Sequence, residues 1–150
     1  MVGTGTFGSV YKVINSLNGR TVCLKILPKS NVKAMKHTRH IVYEYEVLKL
    51  LSNYTDEMPS LIKLYSTFQD ETNLYFELEY VPGCTLFSQI KDKSHTLISQ
   101  NYPFYSLEIL FTLKFLHSKS IVYRDLKPEN VIIGKNGHIK LVDYGFAKIL

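Results

Sequence analysis

Cysteine is scarce in this chain. Of its 150 residues only Cys23 and Cys84 are cysteines, and no ligand or disulfide spacing surrounds them. Neither a disulfide framework nor a metal-ligand cluster is expected, and each cysteine reads as a small apolar residue. Nothing resembles a signal peptide and no apolar run is long enough to span a bilayer. An intracellular protein, cytoplasmic or also nuclear, with no membrane segment is the expectation. A dense run of one charge is also missing. Lys and Arg total 18 against 13 Asp and Glu, giving a net charge of +5, but the cations are spread along the chain, which argues against nucleic acid as a partner. Repeats and low-complexity tracts are absent. With 45% apolar and 21% charged residues, the composition is that of an ordered globular protein rather than a disordered one.

What is present is a sequence of strand and helix patterns, with one stretch dense in chemistry. Residues 1–27 read as a strand, a glycine-rich turn, a second strand, a turn at Asn18-Gly19 and a third strand over Thr21–Leu27. The turn is Gly3-Thr4-Gly5-Thr6-Phe7-Gly8-Ser9-Val10, and glycines so spaced let backbone N–H groups approach phosphate oxygens with no side chain in the way. Dinucleotide-binding folds share this spacing but follow it with a helix. Here an alternating strand and an Asn-Gly hairpin signal follow instead. A helix is expected over residues 32–51, a loop over 52–60, strands over Ile62–Gln69 and Asn73–Tyr80, and a short helix with loop over 86–98. A long apolar helix is expected over 100–118, with Pro103 in its first turn. Its stripe of Phe104, Leu107, Phe111 and Phe115 reads as core.

The dense stretch runs from Tyr123 to Gly145. Phosphoryl transfer needs an acceptor for the attacking hydroxyl's proton and oxygen ligands for Mg²⁺ close to one another. Asp125 could be the acceptor, Asn130 and Asp143 the metal ligands, and Lys127 a point charge beside the moving phosphoryl group. Strands at Val131–Ile133 and His138–Val142, joined by the turn Gly134-Lys-Asn-Gly137, would fold the chain back and bring Asp143 toward Asn130. The run Tyr-Arg-Asp-Leu-Lys-Pro-Glu-Asn130, followed by Asp143-Tyr-Gly145, resembles the catalytic loop and metal-binding turn of protein kinases. Arg124, Asp125, Leu126, Asn130, Asp143 and Gly145 all match that family's spacing. Tyr123 in place of the commoner His, and Gly-Phe-Ala-Lys148 after the turn, are similar to the group containing the cAMP-dependent kinase. Tyr144 stands where most kinases have Phe, and its hydroxyl needs a partner if buried.

The resemblance implies an α+β, protein-kinase-like fold. Residues 1–81 would be the N-lobe, an antiparallel β-sheet with an incomplete first strand and one regulatory helix, ending in the hinge. Residues 82–150 would be the first, mainly helical part of the C-lobe, ending after the metal-binding turn. It further implies ATP and Mg²⁺ as cofactors and transfer of the γ-phosphoryl group to serine or threonine of protein substrates. Lys25 would hold the phosphates. Glu44 would be its partner rather than Glu46, since it lies 19 residues on and shares a helix face with Leu48. Val10, Cys23 and Ile132 would sandwich the adenine, and backbone groups of Glu79 and Val81 would meet its edge. Basic residues near the target and a regulatory subunit are further implications. Thr85, where the cAMP-dependent kinase has Glu, puts the preference for basic substrates in doubt, whereas Glu129 retains a second acidic position. The alternative reading is a truncated kinase-like module that binds nucleotide or partners without efficient catalysis.

Overall fold

The alternating strand-formers of the first third pair as their hairpin signals dictate. The computed structural model describes residues 1, 3–5, 8–34, 38–91 and 96–150. Strands β1 (Gly3–Gly5), β2 (Gly8–Ile14), β3 (Thr21–Pro28), β4 (Leu64–Gln69) and β5 (Asn73–Glu79) form one antiparallel sheet in the order β1-β2-β3-β5-β4. Between β2 and β3, Gly19 takes φ +70° and Asn18 Oδ1 accepts the Arg20 N–H at 2.9 Å, the left-handed conformation an Asn-Gly turn supplies cheaply. Between β4 and β5 the Asp70 carboxylate closes the turn, accepting the Tyr75 hydroxyl at 2.6 Å and the Asn73 and Thr72 N–H groups at 2.7 and 2.8 Å.

The glycine-rich segment is more regular than a turn. Gly3–Gly5 and Gly8–Val10 are paired strand residues, Gly3 opposite Val10 and Gly5 opposite Gly8, while Thr6 and Phe7 lie outside the described residues. A Cβ at Gly8 would sit 1.9 Å from the Ile26 carbonyl oxygen on β3, so glycine is required there by close backbone approach. Gly8→Ala is therefore expected to cost about 1–3 kcal/mol of stability, read as a lower urea midpoint. An unchanged midpoint would contradict this crowding.

Helix α1 (Lys29–Ala34) follows β3, and α2 (Thr38–Leu51) supplies the rest of the helix expected over 32–51; residues 35–37 lie outside the described residues. After β5 come β6 (Gly83–Thr85), α3 (Leu86–Lys91), α4 (Thr96–Ser118), β7 (Ile121–Val122), β8 (Val131–Gly134), β9 (Ile139–Leu141) and β10 (Lys148–Ile149). β6, β8 and β9 form a three-stranded antiparallel sheet, and β7 pairs with β10.

The chain divides into two units, residues 1–42 with 63–80, and residues 43–62 with 81–150. Residues 43–62 thus group with the second unit, whereas the sequence reading kept all of 1–81 together. The cause lies in specific bonds: Leu141 N–H reaches the Ser60 carbonyl at 2.8 Å, Lys140 Nζ reaches the Leu61 carbonyl at 3.0 Å, and Ser60 and Thr112 hydroxyls meet at 2.6 Å. Among the described residues, Val22, Leu27, Val32, Ile41 and Phe76 are the buried apolar residues of the first unit. Leu48, Leu51, Leu61, Leu116, Ile121, Val131, Ile139 and Leu141 are central to the second.

Helix α4 departs from expectation in two ways. It begins at Thr96, so Pro103 lies inside it rather than in its first turn; proline removes one backbone bond without forbidding helix on either side. The stripe read as core is also mostly uncovered, with Phe104, Leu107 and Phe111 exposed and Phe115 half-buried. The buried face runs instead through Thr112 and Leu116, with Glu108 half-buried one turn earlier. Thr112 is tied down by Ser60 and by the Glu108 carbonyl at 2.7 Å. Periodicity identifies residues that share a face, but not which of two apolar faces the fold covers.

Candidate active site

Pro128 fixes the local geometry of the segment that carries Asp125, Lys127 and Asn130. It opens a single 3₁₀ turn over Pro128–Asn130, and Lys127 before it is extended, φ −154° and ψ 157°, as the residue preceding proline prefers. The turn ends in Asn130, a buried polar side chain, whose Nδ2 donates to the Asp125 Oδ2 at 2.8 Å and to the Asp125 carbonyl at 3.0 Å. Lys127 Nζ lies 2.8 Å from the same Oδ2. Asp125, Lys127 and Asn130 therefore form one hydrogen-bonded cluster. Its bond to Asp125 raises the Lys127 pKa, so that side chain stays a cation at neutral pH.

Three bonds stitch this segment to the residues around Asp143. The Tyr123 hydroxyl donates to the Val142 carbonyl at 2.5 Å, the Val142 N–H to the Asn130 carbonyl at 3.0 Å, and Arg124 Nε to the Phe146 carbonyl at 2.8 Å. The hairpin of β8 and β9, with Val131 opposite Leu141, returns the chain to make them. Arg124 and Asp143 both take positive φ, 63° and 57°. Such conformations cost energy for residues other than glycine and are held only where surrounding bonds fix them.

Tyr123 and Tyr144 are both fully buried, their rings edge to face at 5.3 Å. Burial raises the pKa of both hydroxyls, so neither ionises near neutral pH. The Tyr144 hydroxyl has no hydrogen-bond partner among the described residues. A buried unpaired donor costs about 1–3 kcal/mol. Tyr144→Phe is therefore expected to raise stability by about 1 kcal/mol, seen as a higher melting temperature; a lower one would mean the hydroxyl is bonded in solution.

The nucleotide candidates lie mainly in the first unit. Gly3, Thr4 and Gly5 are on β1, Gly8 and Val10 on β2, and Cys23 and Lys25 on β3, with Val10 opposite Lys25 in the pairing. Lys25 is only 8% exposed. Burial raises the Cys23 thiol pKa, with Lys12 partly opposing, which disfavours the nucleophilic thiolate. Glu79 ends β5, and its N–H is taken by the Lys63 carbonyl at 2.9 Å. In the second unit Glu44 is 1% exposed on α2, and Ile132 lies on β8 opposite Thr85. Lys25 and Glu44 each take part in a polar or electrostatic interaction, as buried charges must.

Three features of this region were not legible beforehand: the left-handed backbone at Arg124 and Asp143, the Arg124 clamp on Phe146, and the short strand β6. None has a residue-type signal, although Tyr123 and Arg124 themselves were part of the recognised run.

The oxygen chemistry fits Mg²⁺. With its Nδ2 bonded to Asp125, Asn130 could offer its amide oxygen to the ion, and Asp143, next to the Val142 that bonds the Asn130 carbonyl, could offer a carboxylate. Among the described residues no cluster of three or more His, Cys, Asp or Glu could hold a metal alone. A site of one carboxylate and one amide, completed by phosphate and water, is the pattern this ion favours.

Comparison with known proteins agrees with the geometry. The protein kinase domain family matches residues 1–150. The chain is 45% identical over 149 residues to the human cAMP-dependent protein kinase catalytic subunit PRKX, covering 99% of this chain and 40% of that protein. It is 42% identical over 148 residues to the cAMP-dependent protein kinase catalytic subunit of Dictyostelium discoideum, covering 99% and 22%. Against cAMP-dependent protein kinase type 3 of Saccharomyces cerevisiae it is 40% identical over 147 residues, covering 98% and 35%. The chain thus spans well under half the length of these curated relatives. With an antiparallel strand-rich unit, a bonded cluster of Asp125, Lys127 and Asn130, and a match over its whole length, the chain belongs to the protein kinase domain family.

Proposed function

We propose that the protein is a serine/threonine protein kinase that transfers the γ-phosphoryl group of ATP, with Mg²⁺, to hydroxyls of protein substrates. The observation that supports this most is the bonded cluster of Asp125, Lys127 and Asn130, stitched to the segment of Asp143. In this reading Asp125 accepts the proton of the attacking hydroxyl, its carboxylate aimed by Lys127 and Asn130. Lys127, held as a cation, offsets negative charge on the transferring group. Asn130 and Asp143 are the metal-binding residues, and Mg²⁺, when bound, would neutralise phosphate charge. Lys25 and Glu44 are the residues proposed to anchor the phosphates. Gly3, Thr4, Gly5, Thr6, Phe7 and Gly8 would cover them, and Val10, Cys23, Glu79, Val81 and Ile132 would hold the base.

The names of the relatives support protein substrates and a cAMP-responsive regulatory subunit as the partners to test first. The test of the reading is phosphate transfer from radiolabelled ATP to a serine peptide by the full chain, compared with Asp125→Asn. Equal transfer by the two proteins would refute it.

A further inference from the structure

β9 is the edge strand of its sheet, whose order is β6-β8-β9. One side of it pairs with β8, so the N–H groups of Ile139 and Leu141 on the other side need acceptors from elsewhere in the fold. Leu141 finds the Ser60 carbonyl at 2.8 Å. Ile139, which is buried, finds a side chain: Oε2 of Glu108, on α4, accepts its N–H at 3.0 Å. The other oxygen, Oε1, lies 2.6 Å from His138 Nδ1, and the Phe104 ring, one turn earlier on α4, lies 5.6 Å from the same imidazole. Glu108 thus directs both carboxylate oxygens at the start of β9, and the function proposed above makes no use of it.

The position of this bond in the hairpin gives it consequence. Asn130 directly precedes β8 and Asp143 stands two residues after β9, so the two proposed metal ligands lie at the open end of the hairpin. Their separation follows from the register, Ile133 opposite Ile139 and Val131 opposite Leu141. A slip of one residue would carry Asp143 away from Asn130 and break the bond from the Val142 N–H to the Asn130 carbonyl. At the closed end the turn holds itself only locally, through the His138 N–H on Asn136 Oδ1 at 3.2 Å and the Gly137 N–H on the Gly134 carbonyl at 2.9 Å. Glu108 adds a fixed point from a separate element.

We propose, resting on the kinase reading above, that Glu108 is a positioning residue for the metal site. By accepting the Ile139 N–H it locks the register of β9, and so sets where Asp143 stands relative to Asn130. It touches neither substrate nor ion and acts through the backbone of residues 139–143. The bond to Ile139 is the one that works, because it is made to a buried strand residue. The contact with His138, whose side chain is 58% exposed, contributes little.

The test compares the purified full chain with Glu108→Ala, Glu108→Gln, Glu108→Asp and His138→Ala by two readouts. The first is amide hydrogen exchange without nucleotide or metal. Glu108→Ala should speed exchange at Ile139 and Val142 about tenfold, the scale of one lost hydrogen bond, while Glu108→Gln, which keeps an acceptor of the same reach, should stay near wild type. The second is the Mg²⁺ concentration for half-maximal transfer to a serine peptide. It should rise about tenfold in Glu108→Ala, as when a group that orients metal ligands is lost, recover in Glu108→Gln, and stay within about twofold in His138→Ala. Glu108→Asp, one methylene short of the strand, should shift both readouts in the direction of alanine, and serves if the alanine variant does not fold. Faster exchange with an unchanged Mg²⁺ requirement would make Glu108 a brace for the fold alone and overturn the proposal, as would unchanged exchange, or glutamine behaving as alanine does. Transfer by wild type no greater than by Asp125→Asn would instead overturn the kinase reading, with the exchange result still deciding whether Glu108 holds β9.

Discussion

Replacing Asp125 by asparagine is expected to lower kcat for phosphoryl transfer by about 10²–10⁴-fold, the usual loss on removing a positioned general base, with nucleotide affinity maintained. The amide has the shape of the carboxylate, and its oxygen can still accept the Asn130 Nδ2 and Lys127 Nζ bonds now made at 2.8 Å. The loop should therefore keep its form. What the amide cannot do is take the hydroxyl proton. Lys127 keeps its hydrogen-bond acceptor but loses the Asp125 charge that helps to raise its pKa, so the cation is less firmly held. Steady-state kinetics with a serine peptide, together with ATP titration by thermal shift, separates the two effects. A large fall in ATP affinity with kcat unchanged would assign Asp125 to binding instead of chemistry.

The second large effect is expected at Asp143. Asparagine tolerates the left-handed backbone that Asp143 adopts at φ 57°, so Asp143→Asn isolates the carboxylate charge from the conformation. Loss of a metal-binding carboxylate removes several kcal/mol of electrostatic stabilisation, which corresponds to a fall of about 10²–10³-fold in kcat/KM and a higher Mg²⁺ requirement. Asp143→Ala should show the same kinetic loss and an additional destabilisation of about 1–2 kcal/mol, because alanine pays the full cost of that backbone. Equal stability of the two variants would show that the turn relaxes, and an unchanged Mg²⁺ dependence would remove Asp143 from the metal site.

Much of this arrangement was legible in the residues, for identifiable reasons. Asn18-Gly19 and Gly134–Gly137 are turns whose chemistry is local, and the hairpins they close were placed within a residue or two. The segment of Asp125, Lys127 and Asn130 was legible because its polar residue types stand at the spacing protein kinases share and a proline fixes its backbone. The strands β6, β7 and β10 were not, since two or three residues carry no periodicity and their pairing is decided by partners distant in sequence. The buried face of α4 was misread for a related reason. Phe104, Leu107 and Phe111 are the more apolar choice, but Thr112 and Leu116 are the residues that meet neighbouring chain, and Thr112 gains two hydrogen bonds there. The residue type shows that the Tyr144 hydroxyl needs a partner if buried; the ring is buried, and no partner stands among the described residues.

The measurement that tests the account most directly is the thermal melting of the chain with and without Mg²⁺-ATP, repeated for Lys25→Ala. If the glycine-bearing strands and Lys25 bind nucleotide, ATP at 100 times its dissociation constant should stabilise the wild-type chain by about 2.7 kcal/mol, and the shift should vanish in the variant. No shift in the wild type, or the same shift in both proteins, would contradict the assignment of these residues to ATP.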